Sequence, residues 1–584
     1  MSKLMKYLKP YWKGIALVLL LLLVQAIAEL LLPTLMSNIV NEGVVRSVVE
    51  GVPHTPFILR TGGVMLLIAL FAGFASMCAM FLAPRIAAGA ARDLRRDLFN
   101  QVESFSQSEF DKFSSASLIT RCTNDVSQVQ GLANVTARML VYAPILGIGG
   151  VAMALTRSVA MSWIIALSVA VLIGITIVMI LIIMPKFKII QQMVDTLNKI
   201  ARETLHGLMV IRAFGTQSHE KKRFDNINKD LRNTGYFVAR VMAVMGPAIT
   251  FVMAGTQLLV IWVGAHHIAA SGLPIGDMIA FMQYSMHVIW SFMLVSFVLV
   301  MVPRAAVSAA RINEVLDAKS AIIDPENPAR FADSSQSAQV VFDNVSFRYP
   351  GAEANAITDI AFTALPGQTT AIIGATGSGK STIAQLLLRF YDVTGGSISV
   401  GGADVRQVRQ ADLREKIGYV PQKGQLLAGS IASNIRYGKP DASDEVVKEA
   451  AAVAQALSFI EEKDEQFEAE IAQGGSNVSG GQKQRLSIAR ALAKRPEILV
   501  FDDSFSALDF QTDAKLRQAL KQHIAGATVI VIAQRVGTIM GAEQILVLDE
   551  GRIVGRGTHS ELLQTCPAYF EIASSQGAVN GRLA

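Results

Sequence analysis

The sequence predicts two domains of different class: an all-α transmembrane domain of six helices with long cytoplasmic extensions, followed by an α/β domain. Apolar residues crowd into the first half of the chain, in runs long enough to cross a bilayer, which takes about 20 helical residues. From Val340 onward, short apolar runs alternate with helical stretches, the pattern of a parallel sheet covered by helices. A chain of 584 residues that is 51% hydrophobic is too long for one compact domain and too apolar for a soluble enzyme.

The net charge and the cysteine content narrow the class of protein further. The net charge of +6 fits the basic excess that membrane proteins keep on their cytoplasmic side, so we expect no nucleic-acid partner. The three cysteines, Cys78, Cys122 and Cys566, form no disulfide framework. The first apolar run is long and lacks a small-residue cleavage site, so a cleavable signal peptide is not expected.

The membrane domain is predicted over residues 1–317. Lysines, together with Tyr11 and Trp12, predict an amphipathic elbow on the inner leaflet over residues 1–13. The outer connections are short or poor in cations, whereas the segments at about 89–131 and 185–237 are long, charged and helical in pattern, which places them and both termini in the cytoplasm. Six hydrophobic spans are expected at about 14–40, 62–88, 132–156, 159–184, 238–268 and 276–303.

The rest of the chain divides by composition. Residues 318–339 are rich in Ser, Pro, Asp and Ala without apolar periodicity, which predicts a linker. The α/β domain is expected over residues 340–575, and a tail over 576–584. We find no internal repeat in the sequence, so each domain is present once.

A complete phosphate-binding loop follows the apolar strand at 370–373 and opens a helix. Glycines let the backbone wrap a phosphate, and the amino terminus of the helix adds partial positive charge. Lys380 is expected to reach the β- and γ-phosphates of a nucleotide, and Ser381 to hold Mg²⁺. The loop and the first residue of its helix are Gly374, Ala375, Thr376, Gly377, Ser378, Gly379, Lys380, Ser381 and Thr382.

Two further segments complete the pattern. Asp502 and Asp503 follow a second apolar strand, so they lie at the carboxyl edge of a sheet, where nucleotide phosphates bind. Between the loop and these carboxylates, Ser479, Gly480, Gly481 and Gln482 open a helix and form another anion cradle. In this order, the three motifs resemble those of ATP-binding cassette (ABC) transporters, and the resemblance covers essentially the whole chain.

The resemblance implies an ABC exporter fold: the membrane helices continue into the cytoplasm and turn at coupling helices that contact an α/β ABC ATPase domain with a helical subdomain. The first coupling helix would fall near 114–125. The second would fall near 214–220, after residues 210–215, which are similar to the second intracellular loop of the family. The alternative interpretation is that these segments are charged, solvated helices.

The resemblance also implies a role for each residue of the ATP site. Tyr349 matches the aromatic residue that stacks on adenine, although it could instead pack on the sheet as a strand-end aromatic. Gln422 matches the glutamine that contacts Mg²⁺. Residues 479–482, the signature segment, would bind the γ-phosphate held by the opposite subunit, which implies a dimer, and Asp509 would link the two sites across this interface.

The catalytic positions depart from the family's pattern. Asp502 should bind Mg²⁺. Asp503 stands where the family has Glu as general base and is one methylene shorter, and Gln534 stands where the family has a His that contacts the γ-phosphate. Glutamine cannot carry a proton or a positive charge. Gln473, just before the signature segment, replaces a frequent Glu. The pattern resembles the degenerate half of heterodimeric exporters.

The leading hypothesis is therefore an ATP-driven exporter subunit of the bacterial inner membrane. It would pair with a second half-transporter and move amphipathic small molecules, drugs, peptides or lipids across the bilayer. The signature segment would complete a competent site on the partner, and the chain's own site would be slow. A homodimeric exporter, an importer of the same fold and an ATP-gated regulatory or channel subunit remain alternatives.

Polar side chains inside the spans could contact substrate. Glu29 and Gln25 lie in the first span, where a carboxylate is costly and usually faces a cavity, a partner or water. Glu29 could recognise a cationic substrate or form a hydrogen bond between helices, and His287 in the sixth span has the same two interpretations. The methionines of the sixth span suit either a promiscuous surface or ordinary packing.

Overall fold

The computed structural model describes residues 2–270, 273–331, 338–523 and 526–578. These form two compact units. The first contains the described residues of 1–103 and 116–317, and the second those of 104–115 and 318–584. Residues 332–337 of the predicted linker and 579–584 of the predicted tail lie outside the described residues.

The amino-terminal half is entirely helical in its described part. A 3₁₀ segment, Ser2–Tyr11, occupies the predicted elbow. It is followed by ten α-helices: α1 Trp12–Asn38, α2 Arg46–Glu50, α3 Thr55–Glu103, α4 Gln107–Phe113, α5 Ser115–Thr120, α6 Val126–Arg157, α7 Ser162–His206, α8 Leu208–Ala213, α9 Gln217–Ala269 and α10 Ile275–Asp317. Short π-helical turns, Ile39–Val45 and Arg121–Asp125, join α1 to α2 and α5 to α6.

Six helical stretches among the described residues are long and apolar enough to cross a membrane. The longest α-helix, α9, has 53 residues, and at 1.5 Å per residue it extends about 80 Å, well beyond the roughly 30 Å of a bilayer core. The surplus length carries charged residues, such as Lys221 and Lys222, at the end remote from the apolar window. The six helices and their polar extensions therefore agree with the prediction from sequence.

Small residues determine how the helices of the first unit pack. Helix α1 packs along α3 and α6, α6 packs most extensively on α10, and α7 pairs with α9. On α3, Ala72, Ala75, Ala79 and Ala83 are buried at helical spacing, which lets the backbones of neighbouring helices approach closely. On α6, a Cβ added to Gly149 would lie 2.4 Å from Leu30 Cδ1, so a larger residue there would require the Leu30 side chain to move.

The short helices between the long ones only partly match the predicted coupling segments. Helix α4, Gln107–Phe113, belongs to the second unit and lies just before the segment 114–125 predicted for the first turn. Its amino terminus is closed by a capping box between Ser106 and Glu109. The second turn follows α8, at 214–216, within the predicted segment 214–220.

The second unit is an α/β domain built on three sheets. Its strands are β1 Val340–Phe347, β2 Ile357–Ala364, β3 Thr369–Gly374, β4 Gly395–Val400, β5 Ala403–Asp404, β6 Ile417–Val420, β7 Gly429–Ser430, β8 Glu470–Ile471, β9 Ile498–Asp502, β10 Thr528–Ile532, β11 Gln544–Asp549 and β12 Arg552–Gly557. The central sheet has the order β12-β11-β3-β10-β9-β6, with β12 antiparallel to five parallel strands. An antiparallel sheet, β2-β1-β4-β5, and the pair β7-β8 complete the unit.

The central strands are apolar runs because both faces of the sheet are covered. Strands β9 and β10 are buried at all five positions each. Helices α13, α14 and α16 pack on one another as the predicted helical subdomain. The helices of this unit, besides α4, are α11 Lys380–Leu387, α12 Gln410–Lys416, α13 Ile431–Arg436, α14 Asp444–Val453, α15 Leu457–Glu461, α16 Gly480–Ala493, α17 Phe510–His523, α18 Val536–Ile539, α19 His559–Thr565 and α20 Pro567–Ser575.

Candidate functional site

Four adjacent parallel strands bring the predicted catalytic residues to one edge of the central sheet. Strand β10 pairs with β3 and with β9, and β9 pairs with β6. Parallel strands end at the same edge, so the segments that follow them converge there. The phosphate-binding loop follows β3, Gln534 follows β10, Asp503 follows β9 and Gln422 follows β6.

The phosphate-binding loop has the backbone that its glycines permit. Gly377 and Gly379 have φ angles of +87° and +93°, a backbone conformation that residues other than glycine rarely adopt. A Cβ on Gly374 would lie 2.1 Å from the carbonyl oxygen of Leu548, so this position also requires glycine. The loop is therefore shaped by residues that leave the backbone N–H groups accessible to an anion.

Lys380 lies within the loop at the start of α11. Its Nζ donates hydrogen bonds to the carbonyl oxygens of Gly374, at 3.0 Å, and Ala375, at 2.7 Å, and its side chain is buried. Burial lowers the pKa of Lys380, and the nearby carboxylates of Asp503 and Asp502 oppose this effect. The ammonium group is thus held where an anion bound in the loop would meet it.

The first carboxylate, Asp502, joins the loop to the end of β9. Its Oδ1 accepts a hydrogen bond from Ser381 Oγ at 2.9 Å, and its Oδ2 accepts a long one from Tyr419 Oη at 3.4 Å. Burial raises the pKa of Asp502, and the charge of Asp503 adds to this effect, whereas the Ser381 hydroxyl opposes it. A cation at this position would relieve the cost of ionising Asp502.

The second carboxylate, Asp503, is held by two amides. Its Oδ2 accepts hydrogen bonds from Gln534 Nε2 at 2.9 Å and from Gln422 Nε2 at 3.2 Å. The backbone of Asp503 is left-handed, with φ of +48°, and its N–H donates to the carbonyl oxygen of Ile532 at 2.8 Å. Aspartate is among the residues that tolerate this conformation. Burial raises the pKa of Asp503, and the amide of Gln422 opposes the effect.

Tyr349, the predicted adenine contact, follows β1 and is half-buried. Its hydroxyl forms hydrogen bonds with Thr382 Oγ1 at 3.0 Å and Gln385 Oε1 at 2.9 Å, both on α11. Its ring lies edge-on to Phe347, with 4.8 Å between the ring centroids. The residue therefore links β1 to the helix of the phosphate-binding loop, a contact that both sequence interpretations allow.

The signature segment forms the amino terminus of α16. Ser479 Oγ accepts a hydrogen bond from Gln482 N at 3.3 Å, and Gln482 Oε1 accepts one from Ser479 N at 3.0 Å, which together form a capping box. Ser479 and Gly480 are exposed. Within the described ranges, no hydrogen bond joins this segment to the phosphate-binding loop, and Asp509 Oδ1 instead accepts from Thr512 N at 2.9 Å at the start of α17.

The structure also reveals contacts that sequence reasoning missed. Tyr391 lies four residues after the end of α11. Its hydroxyl donates a hydrogen bond to Asp111 Oδ2 of α4 at 2.7 Å. Its ring lies edge-on to Tyr349, with 5.3 Å between the centroids. Burial raises the pKa of Tyr391, and the Asp111 carboxylate adds to the effect. No local sequence signal predicts a contact between residues 280 positions apart.

Comparison with known proteins agrees with this architecture. Residues 15–292 match a family described as ABC transporter transmembrane region, and residues 357–506 match one described as ABC transporter. An uncharacterised ABC transporter ATP-binding protein of Mycobacterium tuberculosis is 39% identical over 99% of this chain and 98% of its own length. The ATP-dependent lipid A-core flippase of Pseudomonas aeruginosa is 34% identical over 85% of this chain and 82% of its own.

A solved structure shows the same fold. The structure of a bacterial Atm1-family ABC exporter with ATP bound superimposes with a TM-score of 0.79, covering 98% of this chain and 99% of that chain at 24% identity. Fold and site define a membrane domain fused to a nucleotide-binding ATPase. The chain belongs to the ABC transporter family. It is an integral membrane protein with the exporter-type fold and an ATP-binding ABC domain, as the sequence predicts.

Proposed function

We propose that this chain is one half of a heterodimeric exporter and that its own ATP site turns over slowly. The observation that carries the proposal is the Asp503–Gln534 pair. Asp503 occupies the position of the family's catalytic Glu, and Gln534 occupies the position of the family's His. Gln534 Nε2 donates a hydrogen bond to Asp503 Oδ2 at 2.9 Å. A glutamine amide can hold a carboxylate in place, but it cannot exchange a proton with the attacking water or the γ-phosphate.

The short side chain of Asp503 should also slow ATP hydrolysis at this site. Asp503 is one methylene shorter than Glu, and a displacement of a catalytic group by about 1 Å can cost about 10²-fold in rate. Two amides on one oxygen, from Gln422 and Gln534, hold the carboxylate at the sheet edge. The site is thus suited to holding a nucleotide more than to hydrolysing it.

Mg²⁺ fits the donor set of this site. Ser381 Oγ and Asp502 Oδ1 lie 2.9 Å apart, so both oxygens could belong to one coordination sphere, and Gln422 supplies a third oxygen ligand after β6. Within the described residues, no group of three or more His, Cys, Asp or Glu side chains could form an all-protein metal site. Mg²⁺ would therefore bind here together with nucleotide phosphates, which is its usual mode in ATPases.

The exposed signature segment supports dimer formation. Ser479 and Gly480 present helix α16's amino terminus to solvent, and an N–H cradle of this kind binds anions. We assign its ligand as the γ-phosphate of ATP held by a partner half-transporter, with Asp509 at the interface. This chain would then complete the partner's competent site, while the partner completes the slow site at Lys380.

For the cargo, we propose amphipathic small molecules, drugs, peptides or lipids, moved outward across a bacterial inner membrane. The lipid A-core flippase among the relatives supports an amphipathic substrate, and the exporter-type fold supports the direction. The basic cytoplasmic segments support cytoplasmic termini.

The first test is ATP hydrolysis by this chain purified alone in lipid, with controlled Mg²⁺. We expect negligible turnover, because both sites of a homodimer would contain Asp503 and Gln534. Turnover of several per second or more would refute the slow-site assignment, and the chain would then be a working homodimeric transporter.

A second test separates the two sites of the heterodimer. Lys380→Ala should reduce ATP turnover modestly, because it disables the slow site, whereas Ser479→Arg should nearly abolish it, because it blocks the competent site on the partner. Ser443→Arg, at the exposed amino terminus of α14, is the matched control and should leave turnover unchanged. Equal losses from Lys380→Ala and Ser479→Arg would contradict the asymmetric assignment.

A further inference from the structure

A polar cluster lies inside the membrane domain, remote in sequence from the ATP site. Glu29 of α1 accepts a hydrogen bond from Gln25 Nε2, one turn earlier, at 3.0 Å on Oε1. Its Oε2 accepts a hydrogen bond from Tyr142 Oη of α6 at 2.5 Å. Both donors are neutral, so they orient the carboxylate without neutralising its charge.

The cluster faces the helix bundle. Successive residues of a helix are rotated by about 100°, so Glu29 lies opposite Ile27 and Leu31, and Gln25 opposite Leu23. Ile27 is 47% exposed and Leu31 43%, whereas Leu30, beside Glu29, is buried. The exposed leucines and isoleucine lie on the outside of the single chain, and the polar pair is on the side where α6 and α10 pack.

The depth of Glu29 makes an uncompensated charge costly. Ser37 of α1 donates to Asp277 Oδ1 at 2.6 Å, which marks the outer end of the bundle. Glu29 is eight residues before Ser37, or about 12 Å further in at 1.5 Å per residue. That places the carboxylate near the middle of a hydrocarbon core of about 30 Å, where an ionised side chain needs a partner.

No cationic side chain provides that partner within the described part of the chain. Glu29 forms no ion pair there, and its hydrogen bonds come from Gln25 and Tyr142. Arg157, at the outer end of α6, is already paired with Asp277, with 2.9 Å between Nη1 and Oδ1. Among the side chains that the structure describes, the carboxylate of Glu29 is therefore contacted by neutral hydrogen-bond donors alone.

His287 of α10 adds a second unpaired polar atom. Its Nδ1 is buried and has no hydrogen-bond partner among the described residues. Helix α6 approaches α10 closely here, since a Cβ on Gly150 would lie 3.7 Å from the Cβ of His287. Tyr284, three residues earlier on α10, donates a hydrogen bond to the carbonyl oxygen of Leu30, next to Glu29, at 3.0 Å. The unpaired nitrogen of His287 could therefore accept a hydrogen bond from a ligand bound beside Glu29, between α6 and α10.

We propose that Gln25, Glu29, Tyr142 and His287 form a binding site for the cationic headgroup of an amphipathic substrate, an inference that rests on the proposed export function. Glu29 supplies the negative charge, and His287 Nδ1 accepts a hydrogen bond from an ammonium N–H. Gln25 and Tyr142 hold the carboxylate in place. The apolar part of the substrate would lie against the apolar side chains that cluster around Leu30, such as Ile145 and Val288.

The test is binding of a matched pair of probes to the full-length chain in lipid nanodiscs without nucleotide. The probes are 2-(2-naphthyl)ethylammonium and its neutral analogue 2-(2-naphthyl)ethanol, and empty nanodiscs correct for partitioning into lipid. We expect the amine to bind at least about tenfold more tightly than the alcohol, a difference of about 1.4 kcal/mol. Glu29→Gln should remove this preference, and Glu29→Asp should keep part of it.

Two further variants separate binding from folding. Glu42→Gln changes an exposed carboxylate beyond the outer end of α1 and should leave the preference unchanged. Tyr142→Phe should weaken amine binding while the alcohol binds as before, because it removes a donor that orients Glu29. Equal binding of amine and alcohol to the unchanged chain, or a preference that survives Glu29→Gln, would overturn the proposal.

Two measurements distinguish failure of the binding site from failure of the export proposal. Binding without nucleotide reports only the membrane site, and ATP-driven uptake of the amine by inverted vesicles reports transport. Charge-selective binding without uptake would retain the cation site and reject export of this substrate class. Uptake that Glu29→Gln leaves unchanged would retain export and reject the site.

Discussion

Restoring the family's catalytic residues should accelerate ATP turnover at this chain's own site. The changes are Asp503→Glu and Gln534→His, made singly and together. In the present structure Gln534 Nε2 and Gln422 Nε2 both donate to Asp503 Oδ2. A longer carboxylate extends past this pair toward the reacting phosphate, and a histidine at 534 can exchange a proton, which the amide cannot.

The expected gain follows from the length of the side chain. One methylene corresponds to a displacement of about 1 Å, which is worth up to about 10²-fold in rate, or about 2.7 kcal/mol in the activation free energy. The left-handed backbone at Asp503, with φ of +48°, works against glutamate, since residues other than Gly, Asn and Asp lose roughly 1–2 kcal/mol there. We therefore expect a gain of about tenfold from Asp503→Glu alone and more from the double variant.

The assay isolates the ATP site that contains Asp503. In a heterodimer carrying Ser479→Arg, the partner's competent site is blocked, so the remaining ATP hydrolysis comes from the site at Lys380. Turnover is measured at saturating Mg²⁺ and ATP. Asp549→Glu is a matched control, because it lengthens an exposed carboxylate at the end of β11, which β3 and β10 separate from β9.

Two results would refute the reasoning. If the double variant turns over ATP no faster than the parent, the length and chemistry of these two side chains do not limit the rate, and the partner's signature segment would be the next suspect. If Asp503→Asn leaves the residual rate unchanged, the carboxylate has no part in the chemistry at this site.

Three other substitutions test contacts seen in the structure. Tyr391→Phe should weaken the contact with Asp111 by about 1 kcal/mol and reduce substrate-stimulated ATP turnover but not basal turnover. Because the pKa of Tyr391 is raised above its ordinary value of about 10, the tyrosine is neutral at neutral pH, and the loss should not vary with pH there. Equal stimulation of the variant and the parent would contradict this prediction. Tyr349→Ala should raise the Kd for ATP about tenfold by removing a stacking surface, and Tyr349→Phe should not. Equal losses would indicate that the hydrogen bonds of the hydroxyl with Thr382 and Gln385, and not the ring, are responsible. Asp277→Asn should destabilise the membrane domain by about 2 kcal/mol, because Arg157 keeps its half-buried charge without a partner, and an unchanged unfolding temperature in nanodiscs would contradict it.

The sequence predicts those features of the fold that depend on local pattern. Six long apolar runs give six membrane helices, and apolar strands that end in Gly374 and Asp502 give a nucleotide site at one sheet edge. Chain direction alone brings these strand ends together, because parallel strands share an edge. The positions of Gln422 and Gln534 follow from the same rule, and the structure adds the distances.

Contacts between distant segments could not be predicted in this way. Helix α4, Gln107–Phe113, lies just before the predicted turn, and its start at the Ser106 capping box was not predicted. The bonds Tyr391–Asp111 and Tyr142–Glu29 join residues separated by 280 and 113 positions. Tyrosines in apolar helices and loops give no local signal of the carboxylate that each one contacts.

The Tyr391 contact bears on why a slow site would be retained. Tyr391 lies edge-on to Tyr349 and donates to Asp111 of α4, so the proposed adenine contact is one aromatic ring away from the helix between α3 and α5. A change in the position of Tyr349 on ATP binding would reach α4 through this pair without any bond in ATP being broken. Binding at the slow site and hydrolysis at the partner's site could then act on the membrane domain separately. On this reasoning Asp503 and Gln534 would remove hydrolysis from a site that keeps its contact with α4, and Tyr391→Phe should uncouple the transporter even though it leaves both ATP sites unchanged.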